Sequence, residues 1–408
     1  MTAPSTSLLH VPGRPTLAGP GAAPRTSAGE RLWYVDALRV YVVGLVFVIH
    51  VLEVFNPWDE WHITNAERSR VLGEVIVLMA PWIMPLVMLL AGVSAWYALP
   101  ARDDKSYMRE RTRRLLLPLV LGILLLVPPQ VWLERRLRGQ FDGSLLEFYP
   151  RFFDGIYPSG NFSWHHLWFL AHLYAYSLIA LPLFRYLQRD EGAKVLARLG
   201  RLASGHTGLV WLAVPLVLER SLLWGLFPER QMLTSDWSNH ALLFGAYVYG
   251  FVLAGAPPLR AAIDAHWKGA LAIALVGTSA LMLGTWHDVV PARLPPPYTL
   301  PYLVFWTLYA CCAWAWMVAL LGVARRWLDR PMPLVHRAAP SAYAWYALHQ
   351  PVIVAFAYVI VAWNGSVVVK AAALFVASAT ATLLVTALVS RLVQELSRPL
   401  RGSSISMR

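Results

Sequence analysis

The sequence has few charged residues and almost no cysteine. Asp, Glu, Lys and Arg make up 14% of its 408 residues, whereas a typical soluble domain carries about a quarter. The two cysteines, Cys311 and Cys312, are adjacent in an apolar run. That arrangement excludes a disulfide framework and a cysteine metal site. We predict no metal site anywhere in the chain.

Acidic residues are also scarce, because 23 Asp and Glu stand against 35 Lys and Arg, which gives a net charge of +12. A surplus of this kind can indicate a nucleic-acid partner. Here the basic residues lie between apolar segments rather than on one soluble face. We therefore predict no nucleic-acid partner and an association with membrane lipids instead.

Long apolar runs are abundant, with 57% hydrophobic residues and a mean hydropathy of +0.49. Most runs are long enough to cross a hydrocarbon core of about 30 Å. The sequence predicts an all-α polytopic integral membrane protein with about ten transmembrane helices. These lie near 33–54, 73–99, 115–133, 166–186, 208–227, 240–256, 269–286, 300–322, 341–362 and 367–392.

The ends of the chain differ from the apolar segments in composition. Residues 1–30 are rich in Pro, Gly, Ala, Ser and Thr and have no apolar stretch before Arg31. We predict a disordered N-terminal tail there rather than a signal peptide. A membrane-embedded domain would follow at 31–392, with a short C-terminal tail at 393–408.

The basic residues also predict the orientation of the chain. With the N-terminus inside, 25 Lys and Arg lie on the inner side and 10 on the outer side of ten spans. This excess fits the positive-inside rule with both termini in the cytoplasm, and a location in the cell (inner or plasma) membrane. The longest outer connection, 134–165, is predicted to lie along the membrane surface or to cover an outward-facing site.

The stretch RVYVVGLVFVIH places Arg39 and His50 in the first span, eleven positions apart. On a helix the two side chains share one face, about 16 Å apart along the axis. Asp36 lies one turn before Arg39 and can pair with it, and Glu53 lies one turn after His50, where it could orient the ring. Snorkelling of Arg39 and a structural histidine are the alternatives. Ionisable groups inside spans favour a functional site, and histidine suits proton transfer.

Five motifs resemble the membrane-bound acyltransferase 3 family, whose members acylate sugars and other hydroxylated acceptors. They are YVDALRVYVVGLVFVIH, MPLVMLLAGVSAWYAL with Gly92, YMRERTRRLLLP, HLWFL in the fourth span, and PSAYAWYALHQPVIV in the ninth. The resemblance covers roughly residues 31–392. ERTRRLLLPLVLGILLLVPPQ and GSLLEFYPRFF are similar to the glucan biosynthesis protein C group. A departure is Ala171, where many glycan-acetylating members carry Glu.

The resemblance implies an acyl-CoA-dependent O-acyltransferase that moves an acetyl or succinyl group to a hydroxyl of a glycan or another acceptor outside. His50 would be the general base with Glu53 beside it, and Arg39, Arg111 and Arg114 would bind the acyl-CoA phosphates. Direct transfer and a covalent acyl-enzyme both stay open. Acyl-CoA is expected as co-substrate, with no permanently bound cofactor. Possible site-lining residues are Trp168, Ser341, Tyr346 and His349. His166 and Trp168 stand at the outer entrance of the fourth span, where an interfacial role is the default.

Other readings of the same residues remain. Arg111 and Arg114 could serve only the positive-inside bias and lipid headgroups, and His349 could help to pack its helix. The main alternative function is a secondary transporter of a small organic solute, because ten spans with buried charges also suit a carrier. Paired halves with broken spans, which would favour a carrier, are not found in the sequence.

Overall fold

The computed structural model describes residues 32–204, 208–228, 231–287 and 295–397, and within these ranges it contains helices and no β-strand. The all-α prediction is confirmed. A π-helical turn, Thr112–Leu116, and a 3-10 turn, His165–Leu167, interrupt the α-helices. The α-helices are α1 Trp33–Glu53, α2 Arg70–Met79, α3 Ile83–Ala98, α4 Asp104–Arg111, α5 Leu117–Leu125, α6 Val127–Leu137, α7 Leu145–Arg151, α8 Trp168–Ile179, α9 Leu181–Leu187, α10 Asp190–Ser204, α11 Gly208–Trp211, α12 Val214–Leu223, α13 Trp237–Gly255, α14 Pro257–Trp286, α15 Leu300–Trp327, α16 Pro333–Ala338, α17 Ala342–Ile360 and α18 Val367–Ser397.

In the described ranges, seven helical stretches are long and apolar enough to cross a membrane, which confirms the polytopic membrane architecture. The number is nine if each of two bent helix pairs forms one span. The seven are Trp33–Glu53, Arg70–Ala98, Asp104–Leu137, Pro257–Trp286, Leu300–Trp327, Ala342–Ile360 and Val367–Leu392, and the bent pairs are His165–Ile179 with Leu181–Leu187 and Asp190–Ala203 with Gly208–Leu223.

Two of the ten predicted spans differ from simple crossing helices. The predicted span 208–227 is divided into α11 and α12, and Pro215 stands in the first turn of α12, where proline has no N–H to continue a preceding helix. The predicted span 240–256 is α13, whose first turn is polar, and it is not among the seven to nine candidates in the described ranges. The cytoplasmic position of the two termini stays a prediction, because residues 1–31 and 398–408 lie outside the described residues.

Helices α3 and α13 pack backbone against backbone at the centre of the bundle. A Cβ atom on Gly92 would lie 1.9 Å from the carbonyl oxygen of Tyr247, and one on Gly250 would lie 1.8 Å from that of Leu89. Small residues allow this close approach of membrane helices. Helix α1 packs against both α3 and α17, so it lies between the central pair and the ninth predicted span.

The outer segment 134–165 is folded into a hydrogen-bonded cap rather than an extended loop. It contains the end of α6, all of α7 and a series of turns. Arg135, which is 8% exposed, connects the turns through four hydrogen bonds. Its guanidinium donates to the side chains of Asn161 and Gln140 and to the carbonyl oxygens of Pro158 and Gly160.

Candidate active site

His50 lies in the last turn of α1, where the backbone fixes one of its ring nitrogens. Nδ1 lies 2.8 Å from the carbonyl oxygen of Val46. A carbonyl oxygen can only accept, so Nδ1 carries the proton of the neutral ring and Nε2 keeps a lone pair. Within the described residues Nε2 has no hydrogen-bond partner, and it is not one of the fully buried unpartnered atoms. His50 therefore presents an accessible proton acceptor.

His349, on α17, faces His50 across the helix interface. Its Nε2 lies 3.2 Å from Nδ1 of His50, and the two ring centroids are 4.9 Å apart. His349 is fully buried, and its own Nδ1 lies 2.7 Å from the carbonyl oxygen of Tyr346. The proton of the neutral His349 ring is thus on Nδ1, and Nε2 accepts a second branch of the bond from His50 Nδ1. This contact fixes the rotation of the His50 ring.

His166 extends this group, which we call the imidazole cluster (His50, His349 and His166). The ring of His166 lies 5.4 Å from that of His349, and its Nε2 donates to the carbonyl oxygen of Ala347 at 3.0 Å. The hydroxyl of Tyr346 donates to the carbonyl oxygen of His166. The sequence predicts an interfacial His166, and this is wrong, because the residue is 5% exposed. These two bonds draw the start of α8 into the bundle.

A second polar group contacts Trp61, whose ring also packs against His50. The Trp61 ring is 6.0 Å from His50 and 5.1 Å from His62. Nδ1 of His62 lies 3.0 Å from a carboxylate oxygen of Glu134, to which the hydroxyl of Tyr157 donates at 3.2 Å. Burial and the charge of Glu134 raise the pKa of Tyr157 above its usual value, so this hydroxyl stays a donor. With His165, whose ring is 4.0 Å from His62, these residues form the outer group: His62, Glu134, Tyr157 and His165.

Arg39 lies near the other end of α1. Its guanidinium donates to Oγ of Ser94 on α3 at 2.8 Å and pairs with Asp36 at 3.5 Å. The predicted pair with Asp36 is confirmed. The Arg39 side chain is 26% exposed, whereas Asp36 is fully buried. The guanidinium is therefore held against the bundle at one edge and open to the surroundings at another.

Arg111 is the last residue of α4, and Arg114 lies within the π-helical turn Thr112–Leu116 that follows it. Cζ of Arg111 lies 4.7 Å from the ring centroid of Tyr107, and Arg114 pairs with Glu110 at 3.0 Å with 40% of its side chain exposed. A π-helical turn shifts the register of the side chains that follow it and is frequent at functional sites. The hydroxyl of Tyr343 donates to the carbonyl oxygen of Arg114 at 2.9 Å, which ties this end of the helix to α17.

Besides the three arginines, the predicted site residues Glu53, Trp168 and Ser341 lie outside the imidazole cluster. Glu53 accepts a hydrogen bond from Asn56 at 2.7 Å, so the predicted orienting contact to His50 is wrong, and Val46 and His349 hold that ring instead. Trp168 packs against His172, with ring centroids 5.2 Å apart. Ser341 is the N-cap residue of α17, two turns before His349. Tyr346 and His349 are the predicted lining residues that the fold brings to His50.

The residues that sequence reasoning missed all come from the outer connections. His62 follows α1, Glu134 is in α6, and His165 precedes α8. One sequence feature could have pointed to them: each is an ionisable residue close to the end of a span. Burying such a residue costs free energy unless it has a partner. No local spacing joins these three positions, so their meeting depends on tertiary structure alone.

Comparison with known proteins gives the family of this chain. The model of the acyltransferase 3 domain, described as an acyltransferase domain, matches residues 32–391. The fold and the match together define a multi-pass membrane acyltransferase. The chain belongs to the acyltransferase 3 family, as its five motifs indicate.

The relatives found share low identity with this chain and carry one name. Glucans biosynthesis protein C of Salmonella typhimurium (strain LT2) is 21% identical over 263 residues, which is 62% of this chain and 66% of the relative. Glucans biosynthesis protein C of Escherichia coli O6:K15:H31 is 22% identical over 165 residues, which is 40% of this chain and 41% of the relative. The match thus spans less than two thirds of either relative. No solved structure matches.

Proposed function

We propose that this chain is an O-acyltransferase of the cell (inner) membrane. It moves an acetyl or succinyl group from cytoplasmic acyl-CoA to a hydroxyl group of a carbohydrate acceptor on the outer side. The family match supports acyl transfer, and the name of the relatives supports a glucan-type acceptor. The observation that carries the proposal is the free Nε2 of His50, fixed as an acceptor by the Val46 carbonyl.

His50 acts as the general base. Its Nε2 takes the proton from the acceptor hydroxyl as the oxygen attacks the thioester carbonyl. The new C–O bond forms, the C–S bond breaks, and the coenzyme A thiolate leaves with the proton that the imidazolium returns. His349 supports this step as a positioning residue, because its Nε2 accepts from Nδ1 of His50 at 3.2 Å. Both Nδ1 contacts stabilise the imidazolium that forms when Nε2 is protonated.

The donor binds at the predicted inner end. Arg111 and Arg114 contact the phosphates of coenzyme A with Arg39 nearby, because guanidinium groups bind phosphate oxygens in a bidentate manner. The exposed parts of Arg39 and Arg114 support this role. The pantetheine arm reaches roughly 15–20 Å, comparable to the rise of about 16 Å between Arg39 and His50 on α1. The apolar stretch between the two ends is the path of the thioester.

The test uses purified protein in lipid vesicles with radiolabelled acetyl-CoA or succinyl-CoA and a linear glucan as acceptor. Wild type is expected to consume one donor only when acceptor is present, and His50→Ala to lose roughly 100- to 10,000-fold in rate. His336→Ala is the matched control, since His336 is exposed on α16. Donor consumption that is equal in wild type and a well-folded His50→Ala variant would refute the base. Flux of a solute without acylation would establish the transporter alternative.

A further inference from the structure

The outer group contains three side chains whose donor atoms converge from separate parts of the chain. One nitrogen of His62, one of His165 and a carboxylate oxygen of Glu134 all lie within 4.8 Å of one another. Around a tetrahedral zinc ion with bonds of about 2.0–2.2 Å, ligand atoms lie roughly 3.4 Å apart.

His165 supplies the independent sign that a ligand belongs here. Its Nε2 is fully buried and has no hydrogen-bond partner in the described residues, and the residue is 6% exposed. An unpartnered buried nitrogen is costly. The backbone of His165 is also left-handed, with φ of 43°, a conformation that few non-glycine residues adopt and that recurs at functional sites. A strained residue with an unsatisfied nitrogen fits a metal ligand.

We propose that His62, Glu134 and His165 bind a divalent transition metal ion of the zinc type. Two imidazoles and one carboxylate are a common set for zinc, with a fourth position left for water. The sequence predicts no metal site, because the three ligands are far apart in the chain. The three proposed ligands do not include His50, and the Trp61 ring packs against both His50 and His62.

The surroundings of Glu134 are compatible with a bound cation. Arg138 lies 3.3 Å from its carboxylate and is 34% exposed, so it can turn to solvent when the metal binds. Arg135 is 4.0 Å away and its guanidinium is already engaged with the cap. Tyr157 donates to the carboxylate, as second ligand-shell groups of metal sites often do. The metal would pin the connection after α1 to α6 and to the start of α8, which holds Trp61 against His50.

The experiment measures metal content and does not depend on acyl transfer. Full-length protein, purified in detergent through a tag without histidine, is stripped with a chelator and titrated with Zn²⁺, with bound metal counted by mass spectrometry. We expect about one tightly bound Zn²⁺ per chain and a rise in melting temperature on binding. His62→Gln and His165→Asn are each expected to lose this ion. Asparagine is chosen at 165 because it tolerates the left-handed backbone.

His336→Ala serves again as the control and should keep the bound ion. Co²⁺ in place of Zn²⁺ should give the visible absorption of a four-coordinate ion in wild type only. The proposal is overturned if stripped wild type binds no Zn²⁺ tightly. It is also overturned if His62→Gln and His165→Asn, eluting as folded monodisperse protein, bind as much as wild type, which would mean adventitious binding only.

Discussion

The two ends of α1 hold ionisable side chains in opposite ways. At the predicted outer end, His50 is tied to a backbone carbonyl oxygen and to His349, which is tied to a backbone carbonyl in turn. At the predicted inner end, Arg39 pairs with a carboxylate and keeps 26% of its side chain exposed, and Arg114 in the π-helical turn after α4 likewise pairs with a carboxylate and keeps 40% exposed. A proton acceptor needs a ring of fixed tautomer and orientation. A phosphate-binding cation needs to exchange its carboxylate partner for a ligand, which partial exposure permits.

The strongest test of this comparison is a substitution at the predicted inner end. Arg111→Ala should raise KM for acyl-CoA by about 10- to 100-fold, because a charge-assisted hydrogen bond contributes roughly 1.5–3 kcal/mol. Its kcat should change little, since Arg111 is remote from His50. Steady-state kinetics over a range of donor concentrations measures the split. Arg113→Ala is the matched control, because Arg113 is an exposed neighbour in the π-helical turn that follows α4. An equal loss in both variants would mean that only the general positive charge matters.

At the predicted outer end, a substitution should change kcat rather than KM. His349→Ala should lower kcat by roughly 10-fold with little change in KM, because the His50 ring loses one hydrogen bond of about 1–1.5 kcal/mol that orients it. His349→Gln should recover part of the rate, since its amide oxygen can accept from His50. If the glutamine variant is no faster than the alanine variant, His349 acts by packing rather than by positioning the base.

The smallest effect is expected at Glu53. Its carboxylate accepts from Asn56 and makes no contact with His50. Glu53→Gln should therefore change kcat by less than about 3-fold, since removing a charge without a direct contact to the base costs little. A single-turnover assay with saturating donor measures it. A loss as large as that of His50→Ala would restore the sequence-based assignment of Glu53 to the catalytic pair.

The sequence predicts the helical membrane fold well, because apolar length and basic flanks are local properties that need no knowledge of packing. It also predicts that Arg39 and His50 lie on one helix, which α1 confirms, because spacing along a helix is local too. It fails for His166 and Glu53, since their partners lie on other helices or in a turn. The sequence does not predict the outer group for the same reason, because His62 and His165 are more than 100 positions apart in the chain.

The glycine contact between α3 and α13 has a consequence for how the bundle can move and change. Any side chain at Gly92 or Gly250 would overlap a backbone atom of the partner helix. Helices α3 and α13 therefore form one rigid unit, and neither helix can slide along the other unless the two separate. Over evolutionary time a larger residue at either glycine position is tolerated only with a compensating shift of the other helix.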